Sequence, residues 1–369
     1  MTGERRYPAP VIAVSNPDAE APEGLAEQPK AKRRSTLPDD LLFRSDEEST
    51  RRLALKSLAA ARTAERRLDD RFDREALHDF RVAIRRLRSQ LRAYRPQLET
   101  AVRPKDRKRL RAIQQATGAG REAEVGLEWL TKQHGDLAPE HLAGLNWLSS
   151  VMLERRRKCA ESLDSELRAS FRRTAEKLEE RLAIMRSEQN LLAEQPLVSF
   201  GRTLANQIEA HATDLLVNLG QVVSVEHTER LHEARIVAKR LRYLVEPIRA
   251  YASEAQLVVK RSKKLQELLG DLNDVHVLMR EIDRSFEGSM QQKAGRLRGY
   301  LRRGDLERAR REASVSEWTG LVELYGRLEM ERRELLATLR DRWLAGDLDA
   351  LVARARDLAH ELRVAERPR

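Results

Sequence analysis

Apolar side chains recur every three or four positions along most of this chain, with charged and small residues between them, from about Ser45 to about Val364. This spacing puts apolar residues on one face of a helix and charged residues on another, which predicts a series of amphipathic α-helices. The β-branched run Val222–Val225 is too short for a convincing strand and lies between predicted helices. The pattern therefore predicts an all-α fold.

Cap and stop residues set the expected ends of the first helices. Ser45 and Glu48 match a capping box, so we expect a helix from there to about Arg71. The next helix is expected over about 74–94, because Pro96 cannot continue it. Further helices are expected over about 122–134, 139–168, 197–219, 228–251 and 273–286.

Glycines are interpreted as helix ends elsewhere. A short helix over about 103–117 is expected to end at Gly118 and Gly120, and one over about 257–269 at Gly270. Glycine suits the left-handed conformation that often closes a helix. Two or three long helices are expected after these, to about residue 364, with breaks near Gly304 and Gly346.

Two stretches of the chain repeat one another. Leu77–Arg88 reads LHDFRVAIRRLR and Leu231–Arg242 reads LHEARIVAKRLR, with six of the twelve positions identical. Similarity at a fixed offset indicates a duplicated structural unit. We therefore expect a first repeat over about 45–195 and a second over about 197–365, within a domain that spans 41–369. Residues 1–40 are rich in proline and charge, and we predict a disordered tail there.

The repeated helix carries a row of cations on one face. At about 100° per residue, the side chains of the row fall within a narrow stripe, separate from the apolar stripe that faces the core. Asp79 and Glu233 are expected to point away from it, and no acid joins the stripe before Glu246. Such an unpaired row favours an external anion, because the planar guanidinium group binds phosphate oxygens in pairs. The row, named the cation ladder here, consists of His78, Arg81, Arg85, Arg88 and Arg92 in the first copy, and His232, Arg235, Lys239 and Arg242 in the second.

A second set of cations stands at matching intervals before Gly118 and Gly270. It consists of Lys108 and Arg111 in the first half and Lys260 and Lys263 in the second. Each pair is three residues apart and so shares one helix face. These four residues are second-rank candidates for anion binding, and an ordinary solvated helix surface explains them equally well.

Charge and composition narrow the class of partner. The formal net charge is +11, with 70 Lys and Arg against 59 Asp and Glu, so polyanions are the favoured partners. The single cysteine, Cys159, is compatible with a reducing compartment. No apolar run approaches the ~20 residues needed to span a membrane. We expect a cytoplasmic protein without a membrane partner.

The two ladder histidines admit three interpretations. His78 and His232 could donate to phosphate, ligate a metal or make structural hydrogen bonds. A metal site needs several converging ligands, and the neighbouring cations would repel the ion, so no metal and no other cofactor is predicted. Glu122, Asp274 and His276 remain the residues that could join such a site.

The motifs resemble those of the CHAD family of histidine-marked α-helical domains. The resemblance rests on LHDFRVAIRRLRSQLRAY, LHEARIVAKRLRYL and LQELLGDLNDVHVL (Leu265–Leu278), and covers about residues 45–365. It implies a helical bundle of two repeats, related by a pseudo-twofold axis around a basic cavity. It also implies binding of inorganic polyphosphate, association with polyphosphate granules, and ligands drawn from the cation ladder. The turn Arg121-Glu122-Ala123-Glu124-Val125 departs from the family pattern, which usually has aspartates there.

The leading hypothesis is a stand-alone, non-catalytic polyphosphate-binding module that targets or regulates at granules. One alternative is a metal-dependent phosphohydrolase, although the sequence has no G-x-x-x-x-G-K-[ST] phosphate loop. The other is a sequence-independent nucleic-acid binder that uses the same cations, disfavoured because aromatic residues make up only 4% of the chain and provide few stacking surfaces. The sequence does not indicate the oligomeric state or the preferred polymer length.

Overall fold

The computed structural model describes residues 37–70, 73, 75–162, 165–189, 198–222, 228–314 and 317–365. Within these ranges the chain is all-helical and contains no β-strand, which confirms the predicted fold class. A π-helical segment, Leu339–Asp347, joins the last two of the eleven α-helices of this part of the chain. The helices are α1 (Asp46–Arg67), α2 (Ala76–Ala93), α3 (Pro104–Gln133), α4 (Leu142–Ser162), α5 (Ser165–Gln189), α6 (Phe200–Gly220), α7 (Thr228–Val245), α8 (Ser253–Arg302), α9 (Leu306–Ser314), α10 (Trp318–Thr338) and α11 (Leu348–Val364).

The starts of α1 and α6 lie side by side. Ser45 accepts a hydrogen bond from the backbone N–H of Glu48 over 3.3 Å, and this cap confirms the predicted start of α1. Ser199 caps α6 in the same way, by accepting from the N–H of Arg202. Ser45 and Ser199 also form an antiparallel bridge with each other. The N-terminal ends of α1 and α6 therefore meet.

The expected helix ends at three glycines are wrong. Helix α3 runs through Gly118 and Gly120, and α8 runs through Gly270 for a total of 50 residues. Within the described residues, positive φ occurs only at Gly304 and Gly346, where breaks were predicted. A helical glycine costs only about 1 kcal/mol relative to alanine. Burial of apolar residues on both sides of each glycine outweighs that cost, as it does for Leu268, Leu269, Leu272 and Val275 around Gly270.

Two other predicted helices are shorter than expected. The predicted helix 139–168 is a short turn at Pro139–His141 followed by α4, and α5 begins at Ser165. Helix α7 ends at Val245 rather than Tyr251, because Pro247 enters the turn Glu246–Ile248.

The core is divided into two apolar clusters. The larger joins α1, α2, α5, α6, α7 and α11 with the first parts of α3 and α8, and its aromatic residues include Phe80 and Phe171, whose ring centroids are 5.1 Å apart. The smaller joins α3, α4, α8 and α10 around Leu148, Ile282 and Leu324. Helices α3 and α8 thus reach into the smaller cluster, while α2 and α7 belong to the larger one.

The described chain joins the core before the first helix. Leu37, Leu41 and Leu42 are buried in the larger cluster. Residues 1–36, which hold most of the predicted disordered tail, lie outside the described residues. No helix in the described ranges is long and apolar enough to cross a membrane.

Candidate functional site

A cavity of about 1010 Å³ lies between α2, α3, α7 and α8, and α10 closes one side of it. The apolar stripe of α2 fixes how this helix presents its polar face, since Phe80, Ile84, Leu87 and Leu91 are all at most 2% exposed. Ala234, Val237, Ala238 and Leu241 anchor α7 in the same way. With these residues in the core, the opposite faces of both helices border the cavity.

Six predicted ligands meet in this cavity. They are His78, Arg81 and Arg85 from α2 and His232, Arg235 and Lys239 from α7. The two histidines are exposed, while the arginines and the lysine are half-buried. The first halves of the two ladders therefore share one space.

The other seven predicted ligands do not line the cavity. Arg88 donates a hydrogen bond to Gln114, and Arg242 lies over the ring of Tyr243 with its guanidinium carbon 4.8 Å from the ring centroid. Arg92 borders a different cavity. Lys108, Arg111, Lys260 and Lys263 are exposed, and Lys263 pairs with Glu267 at 3.4 Å. Their assignment to an anion site stays a prediction.

Four basic groups that were not among the predicted anion ligands also line the cavity: Arg121, His276, Arg280 and Arg332. The sequence indicated His276 only as a possible metal ligand. His276 and Arg280 are four residues apart and share one face of α8. The sequence pattern predicted a helix end at Gly270, and so did not place the face of His276 and Arg280 beside the ladder. Arg332 comes from α10, which has no counterpart among the repeated motifs, so no sequence signal indicated it.

Four carboxylates also line the cavity: Glu122, Glu229, Glu233 and Asp274, against seven Lys and Arg. Asp79 forms an ion pair with Arg67 outside it. The expectation for Glu233 is wrong: it borders the cavity because the first turns of α7 are exposed, and side chains about 100° from the ladder reach the opening. One further acid, Glu124, pairs with Arg81 at 3.2 Å and with Arg121 at 3.6 Å.

Several of the half-buried arginines have a buried nitrogen atom without a hydrogen-bond partner. The Nε atoms of Arg81, Arg85 and Arg235 have no hydrogen-bond acceptor within the described part of the chain. Burial lowers the pKa of Arg235, although Asp274 opposes this shift. Arginine keeps its proton in proteins, so this charge persists. A cluster of half-buried cations attracts anions, and their oxygens could complete the missing hydrogen bonds.

Lys239 is the most strongly perturbed group of the cavity. Burial, followed by the charges of Arg235 and Arg85, lowers the pKa of its ammonium group to about 7. It forms no ion pair within the described residues. A lysine at this pKa is partly neutral at physiological pH, and a bound anion would restore its charge.

A search of the described residues finds no group of three or more His, Cys, Asp or Glu side chains arranged to hold a metal ion. Burial and the charges of Arg280 and Arg332 lower the pKa of His276, which also lines the cavity. These neighbours disfavour a cation bound at this histidine.

Comparison with known proteins places this geometry in context. The family model for the CHAD domain matches residues 52–283, a range that contains all thirteen predicted ligands. No curated protein matches the chain. The crystal structure of the CHAD domain from the plant Ricinus communis is similar, with a TM-score of 0.54 and 20% sequence identity over 89% of this chain and 95% of that chain. At this identity the likeness shows a shared fold.

Proposed function

The chain belongs to the CHAD family, and from this premise we propose that it binds inorganic polyphosphate in the cavity between α2 and α7. The observation that carries the proposal is the convergence of Arg85, Arg235 and Lys239, three half-buried cations without an ion pair in the described structure. Buried charges are normally paired, because desolvation of a lone charge is costly. A polyanion would supply the missing partners.

The chemistry of the polymer suits these donors. Polyphosphate carries a charge on every phosphate, so several cations can be satisfied by one flexible chain. The guanidinium groups of Arg81, Arg85 and Arg235 can each donate two hydrogen bonds to phosphate oxygens. His78 and His232 stand at the exposed edge of the cavity, where the polymer would enter or leave.

The arrangement of the repeats extends this proposal. We propose that the two halves are related by a pseudo-twofold axis, so that the ladders of α2 and α7 face one polymer from opposite sides. The excess of seven Lys and Arg over four carboxylates supports a basic cavity. The predicted ligands outside it, such as Arg88, Lys108 and Lys260, would then contact only the parts of a long polymer that leave the cavity.

Binding of long-chain polyphosphate by paired variants tests the site. Arg81→Glu/Arg235→Glu reverses two cavity charges, and Arg173→Glu/Arg310→Glu reverses two exposed charges outside the cavity, with the same change in net charge. We expect the first variant to lose affinity by more than about 100-fold, since charge-assisted hydrogen bonds are each worth ~1.5–3 kcal/mol, and the second to stay close to wild type. Circular dichroism establishes that both fold. Equal losses in the two variants would refute the assignment.

Salt dependence provides a second criterion. Counterion release makes the affinity of a polyanion fall steeply as salt rises, with a log–log slope near −0.7 per contact for a single-stranded polymer. The seven Lys and Arg of the cavity therefore predict a slope of about −5 by analogy. A slope near zero contradicts binding through these side chains, and equal affinity for duplex DNA contradicts selectivity for polyphosphate.

We further propose that binding is not coupled to catalysis and that the module acts at polyphosphate granules. Incubation of labelled polyphosphate with the protein and Mg²⁺ or Mn²⁺ should release no phosphate above a blank. A fluorescent fusion should colocalise with granules, and the Arg81→Glu/Arg235→Glu variant should be diffuse. Release that depends on the protein, or colocalisation that survives the substitutions, would overturn the respective statement.

A further inference from the structure

A second cavity, of about 280 Å³, lies between α2, α6 and α7. It shares no residue with the cavity of the proposed polymer site. Its polar residues include Arg92 from α2, Gln207 and His211 from α6, and Arg240 and Tyr243 from α7. Of these five, only Arg92 belongs to the cation ladder; Gln207, His211, Arg240 and Tyr243 were not predicted to be functional.

The two arginines of this cavity, Arg92 and Arg240, repel each other electrostatically. Arg92 stands at the exposed rim and Arg240 is half-buried. Burial lowers the pKa of Arg240, and the charge of Arg92 lowers it further, while Glu233 and Asp214 have smaller opposite effects. Within the residues that the structure describes, neither arginine forms an ion pair or a hydrogen bond. Their charges remain without a direct partner in the protein.

Two neutral groups of the same cavity also lack a hydrogen bond. The Nδ1 atom of His211 and the hydroxyl of Tyr243 are buried without a hydrogen bond in the described structure. Asp214 Oδ2 is 3.6 Å from that nitrogen, beyond hydrogen-bonding distance. Tyr243 is only 3% exposed. Buried polar atoms are nearly always satisfied, so two in one small cavity indicate an absent acceptor.

The duplication supplies an internal comparison. An offset of 154 residues relates His78 to His232. The same offset relates Arg86 to Arg240, and Arg92 to Glu246. Arg86 Nη2 donates to Glu246 Oε1 over 2.8 Å. At one place the protein neutralises the arginine with its own carboxylate. At the matching place it puts a second arginine.

We propose that this second cavity binds a small phosphate anion, such as orthophosphate, with Arg92 and Arg240 as charged donors and His211 and Tyr243 as neutral donors. Arginine pairs match the oxygens of a tetrahedral dianion. The volume is at the lower limit of the ~300–1,000 Å³ typical of pockets for drug-sized ligands, so it suits an ion of a few atoms. Arg92 thus serves a ligand other than the polymer.

Substitution by the residue of the matching repeat tests this site. Arg92→Glu gives Arg240 the carboxylate that Glu246 gives Arg86, so the variant should fold at least as well as wild type. Orthophosphate titrated by calorimetry should bind the wild-type chain, and bind about 10- to 100-fold more weakly to Arg92→Glu, the scale of a lost charge-assisted hydrogen bond. Arg240→Gln should show the same loss, which guards against misfolding of either variant.

The polymer-site variant is the control. Arg81→Glu/Arg235→Glu removes any orthophosphate bound in the larger cavity and should retain the binding that Arg92→Glu and Arg240→Gln weaken. Absence of orthophosphate binding by wild type, undiminished binding by Arg92→Glu and Arg240→Gln, or loss only in Arg81→Glu/Arg235→Glu would each overturn the second site. None of these outcomes decides polymer binding, which is measured separately on the same proteins.

Tungstate, a tetrahedral oxyanion with a strong anomalous signal, locates the site directly. Crystals of the full chain soaked in tungstate should show an anomalous peak between the Arg92 and Arg240 guanidinium groups. The peak should be absent in Arg92→Glu. A peak only in the larger cavity would refute the proposal.

Discussion

Arg81 donates a hydrogen bond from Nη1 to Oε2 of Glu124 over 3.2 Å, so one cation of the ladder is partly neutralised by the protein itself. Glu124 lies on α3, and it also approaches Arg121 at 3.6 Å. An incoming phosphate would compete with this carboxylate for Arg81. Glu124 should therefore limit the affinity of the cavity for polyanions.

Replacement of Glu124 by glutamine should strengthen polyphosphate binding. An ion pair at a partly exposed site is worth about 0.2–1 kcal/mol, so we expect a gain of about 2- to 5-fold. Glu128→Gln is the matched control, because it removes the same charge one turn along α3 from an exposed residue that pairs with Lys132. Fluorescence titration with labelled polymer measures both. Equal gains in the two variants would indicate a general effect of net charge.

Alanine at Gly270 should stabilise the protein. Gly270 lies inside α8 and an added Cβ meets nothing within 4 Å, so the substitution should raise the free energy of unfolding by about 1 kcal/mol. Gly304→Ala should lower it by ~1–2 kcal/mol, because φ is 70° there and L-residues avoid this conformation. Chemical denaturation compares the two. Destabilisation by Gly270→Ala would mean that α8 ends at the glycine, as the sequence pattern predicts.

Local signals predicted two helix ends correctly, one at a cap and one at a proline. Ser45 and Pro96 lie where α1 begins and just after α2 ends. The glycine rule failed at Gly118 and Gly270 because a helix end depends on tertiary packing as well as on local conformation. Buried residues beyond each glycine keep the helix intact, and a local rule does not include that packing.

The site was predictable only near the start of each repeated helix. Periodicity identifies which residues share a stripe, and Arg81, Arg85, Arg235 and Lys239 indeed meet. It does not indicate where a second helix crosses that stripe. The contact between Arg86 and Glu246 marks where α2 and α7 cross. C-terminal to it on α2, Arg92 no longer lines the larger cavity and borders the second one instead. Such crossings are set by the packing of whole helices against one another.

The exposed cations of α3 and α8 should matter only for long polymers. Lys108 and Lys260 do not line the cavity, so Lys108→Gln/Lys260→Gln should leave the affinity for tripolyphosphate unchanged. Long-chain polyphosphate should bind about 2- to 5-fold more weakly, since exposed charges contribute weakly to binding. Arg173→Gln/Arg310→Gln removes the same charge elsewhere. An equal loss for both polymers would place the two lysines at the main site.

Lys239 should link polyphosphate binding to proton uptake. Its ammonium group has a pKa of about 7, lowered by burial and then by Arg235 and Arg85, while Asp274 opposes and Arg242 adds to the shift. A bound polyanion favours the charged form and raises this pKa. Affinity should therefore fall as pH rises above 7, by up to about tenfold per pH unit as long as the pH is below the pKa of Lys239 in the complex.

Calorimetry in buffers of different ionisation enthalpy measures the proton taken up, and Lys239→Arg should abolish the uptake near pH 7.5 because arginine stays protonated.

Lys239 should also make the folding stability depend on pH, in the opposite direction to the binding affinity. Its pKa is lower folded than unfolded, so the unfolded chain binds the extra proton between pH 7 and ~10.5, and stability should rise with pH across that window. Lys239→Met should remove this slope and also raise the melting temperature at pH 7, because an unpaired buried charge is replaced by an apolar side chain of similar length. If Lys239→Met loses the rise of stability with pH but still takes up a proton when the polymer binds, another group of the cavity is responsible for the uptake.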